Sequence, residues 1–99
     1  MRIDKAKELA RIAAEISRCR TCRKGKIGQA VPGEGDPDAS VVFIGEAPGR
    51  REAAAGRPFI GPSGKLLRAL IKAAGLEEKG VFITSPVKYL PEYVTPKKE

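Results

Sequence analysis

Two short apolar runs rich in β-branched residues, Ser40–Gly45 (SVVFIG) and Gly80–Ser85 (GVFITS), bracket a helix-patterned segment. No other feature limits the fold of this chain as much. Each run fits a strand buried on both faces of a parallel sheet. Parallel strands need a long crossover, which is right-handed when it is a helix. Between the runs, Leu66, Leu67, Leu70, Ile71 and Ala74 mark one apolar stripe. That helix opens after Gly61-Pro62-Ser63, with Ser63 read as its N-cap, and Gly75 stands where a glycine would end it. Residues 40–85 therefore read as a βαβ unit and the fold class as α/β. Upstream, Ile3, Leu9, Ile12, Ala13 and Ile16 recur at helical spacing, which predicts an amphipathic helix within residues 1–18. Gln29–Asp38 reads as loop, Arg50–Gly61 as loop or short helix, and residues 86–99, with three prolines, as an extended tail. At 99 residues the chain makes a single domain with a thin core margin. Two strands alone leave bare sheet edges. Either those edges pair with another chain, such as a second copy, or the sequence is a piece of something larger.

Charge points to a class of partner. Nineteen Lys and Arg against twelve Asp and Glu give a net charge of +7. Cationic contacts to phosphate release condensed counterions, so this balance favours a polyanion such as DNA. A lysine-rich surface on a thermophile's protein is the ordinary alternative. The sequence has no histidine, which removes the commonest general base and metal ligand. The N-terminus is charged and lacks an apolar signal region, and no apolar run is long enough to span a membrane. A soluble, cytoplasmic protein without a membrane partner is the expectation.

The junction Gly45-Glu46-Ala47-Pro48-Gly49 follows the first strand directly. In open α/β sheets ligands bind beyond the carboxyl ends of strands. A carboxylate flanked by glycines can there approach a substrate closely. Phe59, in Gly56-Arg-Pro-Phe-Ile-Gly61, is an aromatic between glycines and a candidate platform for stacking a base. Each feature alone has an ordinary alternative: Glu46 a solvated loop acid, Phe59 a core ring, the glycines turn residues. The junction is neither a phosphate-binding Walker loop nor a dinucleotide fingerprint, since both spacings are wrong. Cys19-Arg-Thr-Cys22 is compatible with zinc, an iron–sulfur cluster, a redox pair or a disulfide. In a cytosolic setting reduced thiols are expected over a stable disulfide.

Taken in order, Val31-Pro-Gly-Glu-Gly-Asp36, Val42-Phe-Ile-Gly-Glu-Ala-Pro-Gly-Arg-Arg-Glu52, Gly56-Arg-Pro-Phe-Ile-Gly61 and Gly64-Lys-Leu-Leu67 form a linked set. With Val81-Phe-Ile-Thr-Ser-Pro-Val-Lys88, the set resembles the N-terminal half of the family-4, iron–sulfur type uracil-DNA glycosylases, over residues 16–91. The resemblance implies a truncated three-layer α/β/α fold with a parallel sheet. It implies excision of uracil from DNA by hydrolysis of the N-glycosidic bond, as in base excision repair, after the base is flipped out. Gly45, Glu46, Ala47, Pro48 and Gly49 match the first catalytic motif, Glu52 a second pocket acid, and Phe59 the aromatic that stacks on uracil. Glu46 and Glu52 would be catalytic, with Gly45, Ala47, Pro48, Gly49, Phe59 and Ser85 binding substrate.

The chain departs from that pattern at several positions. Ala53 stands where the family usually has Asp, and Ser85 replaces an Asn that reads the uracil edge. The histidine of the second catalytic block is missing from this sequence. By resemblance, Cys19 and Cys22 match two of four ligands of a [4Fe–4S] cluster, while Tyr89 stands at the third position. The first reading is thus an incomplete glycosylase that needs a complementing C-terminal half. The second is a catalytically inactive basic DNA-binding fragment, and the third a small Cys-x-x-Cys metal or redox protein.

Overall fold

The computed structural model describes residues 3–92. Helix α1 (Lys5–Arg18) starts where Asp4 accepts a hydrogen bond from the Lys7 amide at 3.1 Å, a side-chain N-cap. The predicted helix thus begins at Lys5, and residues 1 and 2 lie outside the described residues. Along α1, Leu9, Ala13 and Ile16 are half-buried and no residue is fully buried. A single turn, α2 (Arg20–Arg23), follows Cys19. Next come three short strands: β1 (Lys26–Ile27), β2 (Glu34–Gly35) and β3 (Val42–Ile44). Two helices, α3 (Arg50–Ala55) and α4 (Pro62–Ala73), lead through a 3₁₀ turn at Glu78–Gly80 to β4 (Phe82–Thr84) and β5 (Leu90–Pro91).

The predicted crossover is present: β3 and β4 are parallel, with Val42, Phe43 and Ile44 opposite Phe82, Ile83 and Thr84. The sheet is mixed, however, because β2 joins β4 from the other side in antiparallel sense, giving the order β2-β4-β3. β2 lies inside the segment read as loop. Its pairing depends on glycine: Gly35, at φ 136°, lies so close to β4 that a Cβ would overlap the Val81 carbonyl and the Phe82 backbone. A second, two-stranded sheet pairs β1 with β5. The segment expected as an extended tail is therefore tied down through Pro91, while residues 93–99 of that segment lie outside the described residues.

The core is small. Ile71 of α4, Val81 just before β4 and Ile83 within it form its centre, with Phe43, Phe59 and Leu67 packed against them. Three expectations for this region are corrected. Val42 and Ile44 are exposed, so β3 is not buried on both faces; it is the outer strand of the described sheet and only Phe43 faces the core. In α4, Leu66 and Leu70 are 62% and 57% exposed and Ala74 is exposed. A sheet this narrow covers only the line through Leu67 and Ile71. Finally, Gly61 and not Ser63 is the N-cap of α4, because Pro62 takes the first helical position, where its missing N–H costs nothing. Gly75 ends the helix as expected: it adopts φ 84°, with Gly75 N–H donating to Lys72 and Leu76 N–H to Ile71, a Schellman motif.

Candidate functional site

Strand β3 ends where Gly45 N–H donates to the Thr84 carbonyl at 2.9 Å. The chain then leaves the sheet, held once more by Val87 N–H on the Glu46 carbonyl at 3.3 Å. Gly49 caps α3 without a side chain. The half of a capping box that remains is Glu52, which accepts from the Gly49 amide at 3.1 Å. The other carboxylate oxygen of Glu52 accepts from the amides of Ile60 and Gly61, both at 2.8 Å. One acid thus clasps the loop after β3 to the loop before α4. Partial burial pushes its pKa up, but the amides of Gly61, Ile60, Glu52 itself and Gly49 outweigh it and hold the carboxyl below the usual range.

Phe59 is the one non-glycine at positive φ among the described residues, at 52°. For a bulky side chain this conformation costs about 1–3 kcal/mol and persists only where the surroundings impose it. Two glycines make room for it. A Cβ on Gly45 would overlap the tip of the Phe59 ring, and one on Gly64 would overlap the Phe59 backbone. The ring thus lies over the end of β3 while its main chain rests on the first turn of α4.

These elements enclose an open cavity of about 450 Å³, a size that suits a small ligand. Ala47, Pro48, Gly49, Glu52, Phe59 and Ser85 line it together, which brings six of the predicted site residues to one place. Gly45 lies beneath the ring. Glu46 is exposed and stands outside the lining. Ser85 is buried and its hydroxyl donates to the Val87 carbonyl at 2.9 Å, so its one proton is used locally. The sequence reading missed Arg50, Arg51, Ser63 and Gly64, which also line the cavity. Arg50 and Arg51 extended the motif and carried a charge signal. Ser63 was read only as a helix cap and Gly64 only as part of the linked set, since they act through the first turn of a helix. The first amide of α4 with an acceptor in its own helix is that of Lys65, on Gly61 at 2.8 Å. The positive end of the helix dipole therefore opens on the cavity and favours negative charge there.

The cysteines lie elsewhere. Cys19 caps α2, its Sγ accepting from the Cys22 amide at 3.0 Å, and the two are joined as a disulfide with Cα atoms 5.3 Å apart. Reduced thiols were expected; one helical turn brings the pair within bonding range. The residues do not fit a four-thiolate cluster. The sequence has two cysteines, and no group of three or more His, Cys, Asp or Glu suited to a metal occurs among the described residues. At the position matched to a third ligand, Tyr89 is buried and its hydroxyl donates to the Ile16 carbonyl at 2.7 Å, which closes the end of α1. No helix among the described residues is long and apolar enough to cross a membrane.

Comparison with known proteins identifies the family. Residues 32–99 match the model of the uracil DNA glycosylase superfamily. A type-4 uracil-DNA glycosylase of Sulfurisphaera tokodaii is 48% identical over 85 residues, covering 84% of this chain and 39% of that protein. Those of Saccharolobus solfataricus and Archaeoglobus fulgidus are 49% and 44% identical, over 81% of this chain in each case and 38% and 41% of their own lengths. The chain thus spans about two fifths of the length of these curated relatives. With the family match running over more than half of its residues, the chain belongs to the uracil DNA glycosylase superfamily.

Proposed function

We propose that this chain forms the base-recognition wall of a uracil-DNA glycosylase, which excises uracil from DNA by hydrolysis of the N-glycosidic bond. The observation that carries this reading is the cavity in which residues 47–49, Glu52, Phe59 and Ser85 meet beyond the carboxyl ends of the parallel strands. A uracil flipped from the strand stacks on Phe59. As the bond breaks, negative charge grows on the base and positive charge on the sugar. The first turn of α4, with the amides of Ser63 and Gly64, stabilises the leaving anion electrostatically. Arg50 and Arg51 favour the flanking phosphates. Glu52, held ionised by its amides, fixes the loops that shape the pocket. Glu46, exposed and next in the chain to the lining residue Ala47, favours the sugar cation or orients a water once DNA closes over it. No step is assigned to a [4Fe–4S] cluster, because the residues present do not fit one.

The wall needs a counterpart. Exposed Val42 and Ile44 on the outer strand and Leu66 and Leu70 on α4 form apolar surface of the kind that another polypeptide covers. A complementing C-terminal half of the glycosylase fold is the proposed occupant, and a second copy of the chain is the alternative. With that half in place, the sheet and its flanking helices make a three-layer α/β/α domain, working on DNA in the cytoplasm. The test is a glycosylase assay on single-stranded and duplex oligonucleotides with one uracil, run on the chain alone and with a complementing half. Uracil-dependent cleavage that is lost in Glu46→Gln supports the reading; neither cleavage nor uracil-dependent binding in either format refutes it. The second reading, an inactive DNA-binding fragment, is favoured by a net charge of +7 with no histidine. It predicts steeply salt-dependent binding that ignores uracil. The third, a metal or redox protein, rests on the Cys19–Cys22 pair and falls if replacing both cysteines with serine changes nothing.

A further inference from the structure

Phe59 has its main chain turned into an uncommon conformation, and one side chain grips that turn. Arg68, on the second turn of α4, has a side chain only 14% exposed. Its Nη2 donates to the Pro58 carbonyl at 2.6 Å and its Nε to the Phe59 carbonyl at 2.8 Å. Consecutive carbonyls point in opposite directions along an extended chain, and point the same way only when the residue between them adopts a helical φ and ψ. Phe59 has the left-handed φ of such a turn, 52°, and the carbonyls on either side of it both reach the one guanidinium. A guanidinium presents its donors in a rigid planar fork and thus selects that turn.

The fork is itself held in place. Arg68 Nη1 donates to Glu78 at 3.1 Å and Nη2 to Glu34 at 3.2 Å. Glu34 also takes a two-pronged contact from Arg57, at 3.0 and 2.8 Å. The hydrogen bond from Arg57, more than the opposing effect of burial, keeps the Glu34 carboxyl below its ordinary range. Strand β2, α4, the 3₁₀ turn and the loop of Phe59 converge on one cation. Arg68 does not line the cavity, so its effect on a bound base passes through the Pro58–Phe59 turn that it holds.

We propose that Arg68 is a positioning residue for uracil recognition: it locks the Pro58–Phe59 turn and so sets the pose of the Phe59 ring over the pocket. This rests on the pocket reading above, and its test is arranged so that the two can fail separately. Arg68→Lys keeps a cation for Glu34 and Glu78 but cannot span both carbonyls in one plane; Arg68→Gln removes the charge as well. The first readout is the Phe59 ring signals in NMR spectra of the protein without DNA, assigned with Phe59→Leu. The second is the ratio of affinities for a single-stranded oligonucleotide with one uracil and the same strand with thymine.

In both Arg68 variants the ring signals shift and broaden, and the uracil preference falls about tenfold, the worth of one stacked base. Affinity for the thymine strand and its salt dependence stay as in the parent. In the Phe59→Leu background, replacing Arg68 changes the preference no further, because the two residues act as one unit. Should Arg68→Gln fail to fold, Arg68→Lys carries the test. Ring signals in Arg68→Lys that superimpose on the parent's overturn the proposal. So does an equal loss of preference in the presence and absence of the Phe59 ring. A parent protein with no uracil preference refutes the pocket reading, while the ring signals still decide whether Arg68 holds Phe59.

Discussion

Replacing Glu52 with Gln removes one negative charge and one acceptor oxygen from a point where backbone amides of two loops converge. Oε2 takes both Ile60 and Gly61 at 2.8 Å, and Oε1 takes Gly49 at 3.1 Å. A glutamine can keep its carbonyl toward the closer pair, but its NH₂ then faces the Gly49 amide, donor against donor. Hydrogen bonds to charged groups contribute about 1.5–3 kcal/mol net and neutral ones about 0.5–1.5 kcal/mol. Losing one and weakening two, discounted for the half-exposed setting, gives a destabilisation of about 2 kcal/mol. In a domain of this size that lowers the melting temperature by roughly 8–16 °C.

The pH dependence separates charge from shape. Burial raises the Glu52 pKa, the amides lower it by more, and the net value lies below the ordinary 4.5. A carboxyl depressed on folding stabilises fully above its unfolded value and loses that contribution as pH falls through the folded one. The melting gap between the parent and Glu52→Gln is therefore widest at neutral pH and closes as pH falls below the ordinary carboxyl value of 4.5. Thermal unfolding followed by circular dichroism across that range checks it. Equal melting temperatures at neutral pH refute the clasp. A gap that stays constant into acid shows that shape, not charge, carries the effect.

Gly64→Ala pushes a Cβ into the Phe59 backbone; overpacking of about 1–3 kcal/mol exceeds the helix-propensity gain of up to about 1 kcal/mol. Its melting temperature falls and its uracil preference weakens, whereas a Gly25→Ala control, strained by its φ of 69° but with nothing within 4 Å of the added carbon, also lowers the melting temperature yet leaves the preference intact. Tyr89→Phe removes one of two hydrogen bonds on the Ile16 carbonyl, leaving that from the Cys19 amide at 3.2 Å, and costs about 1 kcal/mol in urea unfolding; an unchanged midpoint would deny Tyr89 any part in holding α1. Reducing the Cys19–Cys22 bridge, which closes a very short loop, lowers stability by about 2 kcal/mol on a chain-entropy account, measured as melting with and without reductant. Binding to an undamaged oligonucleotide weakens linearly with the logarithm of salt concentration, and a flat response would remove DNA backbone contacts from the account.

The elements read most surely from the sequence were those with a local cause. The two β-branched runs became the parallel pair of β3 and β4 because their composition suits strands and the helix between them leaves no other connection. Gly75 ended α4 because a left-handed residue is needed there. Strand β2 was not legible. Glu34 and Gly35 carry no strand propensity and sit in a stretch of turn formers, and only close approach to β4 makes strand pairing possible. The exposure of Leu66, Leu70, Val42 and Ile44 was equally hidden. Periodicity reports that a face is apolar, but whether it is covered depends on what lies across from it, which these residues cannot encode.

The site shows the same division one level up. Six of its lining residues were legible, since the stretch from Gly45 to Gly64 carries glycines, three prolines and an aromatic in a distinctive order. Its supports were not. Glu52 acts on amides, and Arg68 acts on the carbonyls of Pro58 and Phe59. Backbone groups are the same at every position, so a side chain that grips them leaves no complementary partner to find in the sequence. Glu52 accordingly looks like a chemical acid when it stands alone in the string and like a fastening when its partners are seen. This bears on how pocket variants are read. A loss of activity in Glu52→Gln follows from displaced loops as directly as from missing chemistry, whereas Glu46, exposed and outside the cavity lining, has no such support role. Of the two acids, Glu46 is the one whose replacement separates chemistry from fold.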